Sequence, residues 1–346
     1  MHQIIDQKIG ILLINLGTPD SPNTSDVRRY LNEFLTDGRV IDIPALPRQL
    51  LVRGTISPFR ASASGKSYRA IWTDKGSPLK YISQNQALAL QSELDAQAPN
   101  RYKVVLAMRY QSPSIEAGLM QLRNEQVSRI IILPMFPQYA SASTGSAHQR
   151  VMEVVSRWQV VPDIKFIQSF YNNDGFIQAF AEIGRSYQPE QYDHILFSYH
   201  GIPQRQMRKA DDSNHCLQSN NCCHSINSKN QFCYAAQCHA TTQALAKALN
   251  LSPDQYSLSY QSRLGKDPWM QPYTIKVLED LAKRGVKKLL VFCPSFVADC
   301  LETLFEISVE YQEEFKHFGG EKVQLVESLN TNPAWIKVMA NIVTAN

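Results

Sequence analysis

The chain has 346 residues, 44% of them hydrophobic and 19% charged, with a formal net charge of +4. This is the composition of a folded globular protein with room for two domains, and it excludes a disordered chain. With so small a charge and no Lys/Arg block, nucleic acid is not an expected partner, and no apolar run approaches the roughly 18 residues that cross a bilayer.

In chain order, Met1–Asp6 lack a basic segment followed by an apolar one, so secretion is not expected and the cytoplasm is. The first strand, Ile9–Leu16, runs into Asn15-Leu16-Gly17-Thr18-Pro19. Helices are expected over Ser25–Thr36, with Ser25-Asp26 as cap chemistry, and over Ser83–Ala96. Strand Lys103–Arg109, helix Ser114–Glu125, strand Arg129–Pro134, helix Ala147–Trp158, strand Asp163–Gln168 and helix Asp174–Ser186 follow. Strand His194–Tyr199 leads into His200-Gly201-Ile202-Pro203. Then come helix Thr241–Asn250, strand Tyr256–Gln261, helix Tyr273–Arg284, strand Lys288–Cys293, helix Asp299–Phe315, strand Lys322–Glu327 and helix Pro333–Val343. Runs such as Ile130-Ile131-Ile132-Leu133 suit strands covered on both faces. The alternation predicts an α/β fold with doubly wound parallel sheets.

The chain also reads as duplicated. Asn15–Pro19 parallels Tyr199–Pro203, Tyr110-Gln111-Ser112 parallels Tyr260-Gln261-Ser262, and Pro134-Met135-Phe136 parallels Pro294-Ser295-Phe296. Three matches in one order predict two related lobes, 1–170 and 171–346, with the last helix free to pack back on the first. All three pairs follow strand ends, where such sheets bind ligands, so they are expected to face a shared cleft.

His200 ends an apolar strand, and its imidazole can take up a proton near pH 7 or bind a divalent metal. Asp299, Glu302, Glu306, Glu310 and Glu313 recur at α-helical spacing and would form one acidic stripe. For Glu310 and Glu313 a solvated face is the simpler reading. Glu302 and Glu306 sit just after a strand end and are expected near His200. One imidazole with carboxylates suits a divalent metal such as Fe²⁺.

Asn15–Pro19, Phe197-Ser198-Tyr199-His200-Gly201-Ile202-Pro203, Tyr260-Gln261-Ser262-Arg263-Leu264-Gly265, Pro268-Trp269 and Cys300-Leu301-Glu302-Thr303-Leu304-Phe305-Glu306 together resemble the ferrochelatases. The likeness runs over 8–345. It implies two Rossmann-like lobes around a porphyrin cleft, and a lyase that inserts Fe²⁺, as substrate, into protoporphyrin IX at the last step of haem synthesis. It also implies that His200 and Glu302 form the catalytic metal site, and that Asp299, Glu306 and Glu310 line a metal or proton path. Leu16, Arg109, Tyr110, Phe296 and Trp269 would contact the porphyrin, with Arg109 and Arg28 or Arg29 as candidates for its propionates. Alternatives are a coproporphyrin or cobalt chelatase and, in another class, a non-catalytic iron–sulfur or haem-binding sensor; retention of both His200 and Glu302 argues for turnover. So greasy a substrate leaves peripheral membrane contact open, although no amphipathic anchor helix stands out. The oligomeric state is not legible.

Five of the seven cysteines fall between Cys216 and Cys238, in a polar insert at about 210–238. An odd number of cysteines without a leader suits a reducing compartment. Four thiolates suit zinc or an iron–sulfur cluster, and so polar a segment needs a metal to order it. The resemblance favours a [2Fe–2S] cluster, since some ferrochelatases carry one and one bacterial class takes its ligands from an internal insert. Cys216, Cys223, Cys233 and Cys238 are the expected ligands. Side chains of the adjacent Cys222 and Cys223 are expected to diverge, leaving one of them out. Zinc and a reduced, metal-free loop remain the other readings.

Overall fold

The computed structural model describes residues 8–219, 221–265 and 267–346; Met1–Asp6, read above for the lack of a leader, lie outside the described residues. The chain divides into two compact units. One holds the chain up to Phe136, Ser141–Ser169 and Thr331–Asn346, and the other holds Pro137–Ala140 and Phe170–Asn330.

Each unit contains a four-stranded parallel sheet. The first has β1 (Ile9–Gly17), β2 (Tyr102–Tyr110), β3 (Arg129–Pro134) and β4 (Asp163–Phe166), in the order β2-β1-β3-β4. The second has β5 (His194–His200), β6 (Tyr256–Gln261), β7 (Lys288–Phe292) and β8 (Lys322–Leu325), in the order β6-β5-β7-β8. The same order in both sheets is the structural counterpart of the repeated motifs. In each, the chain steps one way from the first strand to the second, then the other way for the third and fourth. The carboxyl ends of β1 and β5 therefore lie at the switch points where ligands bind such sheets, and Leu16 and His200 are the residues there.

Six helices belong to the first sheet's part of the chain: α1 (Thr24–Leu35), α2 (Ala45–Leu51), α3 (Ser57–Ile71), α4 (Pro78–Gln97), α5 (Ile115–Asn124) and α6 (Ser146–Val155). The second unit has α7 (Asp174–Ser186), α8 (Gln204–Lys209), α9 (Tyr234–Ala248), α10 (Thr274–Lys283) and α11 (Gln312–His317). The terminal α12 (Pro333–Thr344) packs on α4 in the first unit. Side-chain caps fix several starts: Ser114 accepts from the Ala117 N–H, Asn173 from Phe176 and Asn332 from Ala334. No helix among the described residues is long and apolar enough to cross a membrane.

Central strand residues such as Leu12, Ile14, Ile130 and Ile132 meet Leu119 and Leu122 of α5 and Val151 of α6 in one core. Leu196, Leu289 and Val291 meet Leu278 and Leu281 of α10 and Ile307 in the other. Gly17 ends β1 at φ +117°, and a Cβ there would collide with the Tyr110 carbonyl. Gly17→Ala is expected to cost about 3 kcal/mol or more, measurable by denaturant unfolding, because the strained φ and the clash add.

Three expectations on helices change. α2, a π turn at Val52–Ile56 and α3 occupy a stretch for which the sequence reading names no element. Pro47, Gly54, Pro58 and Gly65 hide the helical pattern there, although a proline in a first turn breaks no hydrogen bond. The helix expected over Asp299–Phe315 is a π-helix over Glu302–Tyr311 continuing into α11, so uniform α-helical spacing does not apply along the acidic stripe. The α1 cap is Asn23, not Ser25-Asp26; Asp26 instead accepts from Ser21 Oγ and Arg29.

Candidate functional site

His200 is the last residue of β5, half-buried, and paired in register with Gln261 of β6. Its Nδ1 lies 2.6 Å from the Gly201 carbonyl oxygen. A carbonyl can only accept, so in the neutral imidazole Nδ1 is the donor and Nε2 carries the lone pair. The His200 carbonyl oxygen in turn accepts from Tyr234 Oη at 2.9 Å, and that hydroxyl also lies 3.1 Å from Ser295 Oγ. The buried Trp269 ring sits 6.5 Å from the imidazole, centroid to centroid. Backbone and side chain of His200 are thus both held, with one ring nitrogen left for chemistry. Tyr234→Phe should lower stability by about 1–2 kcal/mol, because it orphans the carbonyl that fixes His200. Denaturant unfolding checks this.

The carboxylates divide by environment. Glu302 opens the π-helix, half-buried; the Cys300 thiol donates to its carboxylate, and its backbone carbonyl accepts from Gln261 Nε2 at 3.0 Å. Burial, reinforced by this carboxylate, pushes the Cys300 thiol well above the ordinary thiol range. Glu306 receives four donors: Gln261 Nε2 at 2.9 Å, Ser262 N at 2.8 Å, Ser262 Oγ at 2.6 Å and Tyr311 Oη at 3.0 Å. Those donors fill the lone-pair directions of a carboxylate. Asp299 is turned inward, not along the stripe: it is 6% exposed and accepts from Thr303, Ser328 N and Asn330. Glu310 is exposed. What burial it has, with the charges of Glu306, Glu313 and Glu314, raises its pKa. A carboxyl raised in the folded state takes stability away as pH climbs past its unfolded value. Glu310→Gln should therefore raise the melting temperature slightly at neutral pH, on the usual small scale of a surface change.

In the first unit, Leu16 is half-buried at the end of β1, its N–H bonded to Asn15 Oδ1. Arg109 is committed: it pairs with Asp37 at 2.6 Å, donates to Ser146 Oγ at 2.6 Å and covers the Tyr110 ring at 4.6 Å. Tyr110 Oη donates to the same Asp37. Burial would raise the Asp37 pKa, but the Ser146 hydroxyl, the Arg39 N–H and the Arg109 guanidinium outweigh it and hold the carboxyl below the ordinary range. Arg109 therefore carries a neutralised charge. Arg29 is likewise paired, with Asp20 and Asp26, whereas Arg28 is exposed. Phe296 packs partly into the second unit's core, after a turn closed by its N–H on the Cys293 carbonyl.

Gln261, Ser262, Tyr234, Tyr311 and Asp37 were not singled out from the sequence. Gln261 and Ser262 had a signal, since they stand at a strand end inside a repeated motif. Tyr234, Tyr311 and Asp37 act across long separations that no local pattern reveals.

The cysteine segment follows α8. The Cys233 sulfur shares hydrogen bonds with the thiols of Cys216 and Cys223, and Cys222 Sγ lies 3.4 Å from Cys223 Sγ. The adjacent pair does not diverge, because residues 221–223 form a turn closed by His224 N on Asn221 O. Cys233 stands at the N-cap position of α9 without a side-chain cap, and the Cys216 and Cys223 thiols bring its pKa down to about 3. Cys238 stands apart, 0% exposed and hydrogen-bonded to Tyr234. Among the described residues no group of three or more His, Cys, Asp or Glu side chains is arranged to hold a metal ion.

A family model described as Ferrochelatase matches residues 8–346. The Ferrochelatase of Legionella pneumophila (strain Lens) is 47% identical over 96% of this chain and 98% of its own. That of Coxiella burnetii (strain Dugway 5J108-111) is 42% identical over 97% and 93%. Among solved structures, SirB from Bacillus subtilis with Fe3+ matches with a TM-score of 0.55 at 11% identity, over 97% of this chain and 94% of that one, a likeness of fold.

Proposed function

The chain belongs to the ferrochelatase family, a metal chelatase with a porphyrin and ferrous iron as substrates, and we propose that His200 is the group that takes protons from the porphyrin. The observation that carries this is the Gly201 carbonyl on His200 Nδ1, which reserves the Nε2 lone pair at the switch point of the sheet. A porphyrin must lose two pyrrole protons before a divalent ion can sit among its four nitrogens. A neutral imidazole near pH 7 is suited to accept them. Glu302, whose backbone is held by Gln261, the register partner of His200, supplies a negative charge that accepts a proton or steers Fe²⁺ by attraction. Glu306 is a brace: it fixes Gln261, which holds the Glu302 backbone. Asp299 anchors the start of that helix through Thr303 and Asn330. In the second unit, Phe296 and Trp269 supply apolar contact for the macrocycle. Binding a puckered ring better than a flat one would lower the barrier to entry of the metal. The porphyrin is protoporphyrin IX and the reaction that of a lyase. Exposed Leu46, Leu50 and Phe59 support contact with a membrane surface. Seven free thiols support a cytoplasmic setting.

We read the cysteine segment as the seat of a [2Fe–2S] cluster, because five of the seven cysteines fall in a polar stretch with no core of its own and the sulfurs of Cys222 and Cys223 lie 3.4 Å apart. Such a cluster supplies one-electron redox chemistry or structural cross-linking. Insertion leaves iron ferrous throughout, so no proton or metal step depends on it.

Purified protein given protoporphyrin IX or coproporphyrin, each with Fe²⁺ or Co²⁺ under anaerobic conditions, tests the reading through porphyrin fluorescence. The expected result is fastest progressive loss with protoporphyrin IX and Fe²⁺. An immediate shift with no further change, for every pair, would mark a binder and overturn it.

A further inference from the structure

We propose that Gln261 is a positioning residue for metal insertion: it ties the end of β5, which carries His200, to the first turn of the π-helix, which carries Glu302. The inference rests on the roles proposed above for His200 and Glu302, and it gives Gln261 no contact with substrate.

Gln261 closes β6 and is 1% exposed. Side chains alternate along a strand, so Ser198 and His200 share one face of β5, and the parallel register sets Gln261 beside His200. Ser198 Oγ lies 2.7 Å and Cys293 Sγ 3.9 Å from Gln261 Oε1. Gln261 Nε2 lies 3.0 Å from the Glu302 carbonyl oxygen and 2.9 Å from Glu306 Oε2. A carbonyl and a carboxylate accept, so the amide nitrogen must face the π-helix and the amide oxygen must face the hydroxyl and the thiol. Both N–H groups and both lone pairs are thereby used, and the amide has one orientation. The Gln261 backbone adds a second tie. Its carbonyl accepts the Gly201 N–H at 2.9 Å, in the same peptide unit whose carbonyl Tyr234 holds. A Cβ on Gly201 would stand 2.9 Å from that Gln261 oxygen, so glycine is what lets the two strand ends come this close.

No other side chain meets these demands. The position asks one neutral planar group, at the reach of Gln, for two donors and an accepting oxygen. Asparagine is one methylene short, lysine offers no acceptor, methionine offers no donor, and glutamate sets a second carboxylate against Glu306. The amide also ends a buried polar row: Ser198 Oγ lies 3.2 Å from Thr274 Oγ1, which lies 2.8 Å from Ser259 Oγ. Ser198, Ser259 and Thr274 are at most 1% exposed. A buried row in which each broken bond orphans a polar group is held to one geometry, and Gln261 passes that rigidity to the Glu302 backbone.

The test is kinetic, with hydrogen exchange beside it. Gln261→Met keeps the length of the side chain and removes its hydrogen bonds. Its kcat for Fe²⁺ insertion should fall about tenfold or more while the porphyrin KM stays within about twofold, since a misplacement of an ångström costs up to about 100-fold. Ser198→Ala, which frees the amide to turn, should give a smaller loss of the same kind. In a Glu302→Gln background, Gln261→Met should cost at most about twofold more, because it acts through the carboxylate already lost. Amide exchange in the π-helix should quicken by about threefold or more in Gln261→Met and stay unchanged in α7. Equal factors in both backgrounds, or a raised KM with kcat kept, would overturn the positioning role. So would a folded Gln261→Met protein with wild-type kcat, or one whose π-helix exchanges at the wild-type rate. If Gln261→Met does not fold, Ser198→Ala decides: unchanged kcat and unchanged exchange there overturn the proposal. The reading beneath it fails by a different sign, a wild type without turnover or a Glu302→Gln protein with full kcat.

Discussion

His200→Ala is expected to lose metal insertion by at least about 100-fold while still binding porphyrin, since a required general base contributes on that order. The size of the effect follows from what remains after the change. The Tyr234 hydroxyl bonds the backbone carbonyl of residue 200, not its side chain, so the strand end and the wall behind it persist. What disappears is the one nitrogen left with a free lone pair by the Gly201 contact. Neither Glu306 nor Asp299 can substitute, because their carboxylates are held by four and three donors. Steady-state kinetics with a porphyrin-binding titration check the prediction. Turnover above about a tenth of wild type would remove His200 from the role of proton acceptor.

Glu302→Gln is expected to be the second most damaging change, with a fall in kcat of about tenfold or more. It keeps the shape of the side chain and deletes only its charge and basicity. Charge is what matters at that position if it draws in Fe²⁺ or receives a pyrrole proton. Glu310→Gln deletes the same charge eight residues further along the π-helix, where the side chain is exposed, and is expected to be mild. Parallel kcat measurements decide between a charge that acts locally and one that acts as part of a general acidic surface. Equal losses in the two variants would contradict the special place of Glu302.

The strands were readable because their apolar runs are continuous, and the end of each observed strand falls within two residues of its expected place. The position of His200 was readable for the same reason: a strand end followed by glycine is a local pattern. The repeated motifs pointed to equal sheets, and the matching strand orders agree. Elsewhere local pattern failed. Prolines and serines in 45–71 conceal helices whose formation depends on packing of α3 against α1. The acidic stripe assumed α-helical geometry, whereas a π-helix begins at Glu302 and Asp299 points inward. Arg109 read as a free cation because its partner, Asp37, lies 72 positions away in the chain. Adjacent cysteines diverge in a strand but not in a turn, and the turn at 221–223 carries no glycine or proline to announce it.

The central claim is that the chain turns over, with His200 as the group that makes turnover possible. The most direct measurement counts metalloporphyrin formed per enzyme molecule, anaerobically, with protoporphyrin IX and Fe²⁺ both in excess. The wild type should form many equivalents, and His200→Ala at most about one over the same interval, because binding survives and proton removal does not. A wild type that stalls at one equivalent or below, or a His200→Ala protein that keeps pace with it, would contradict the account.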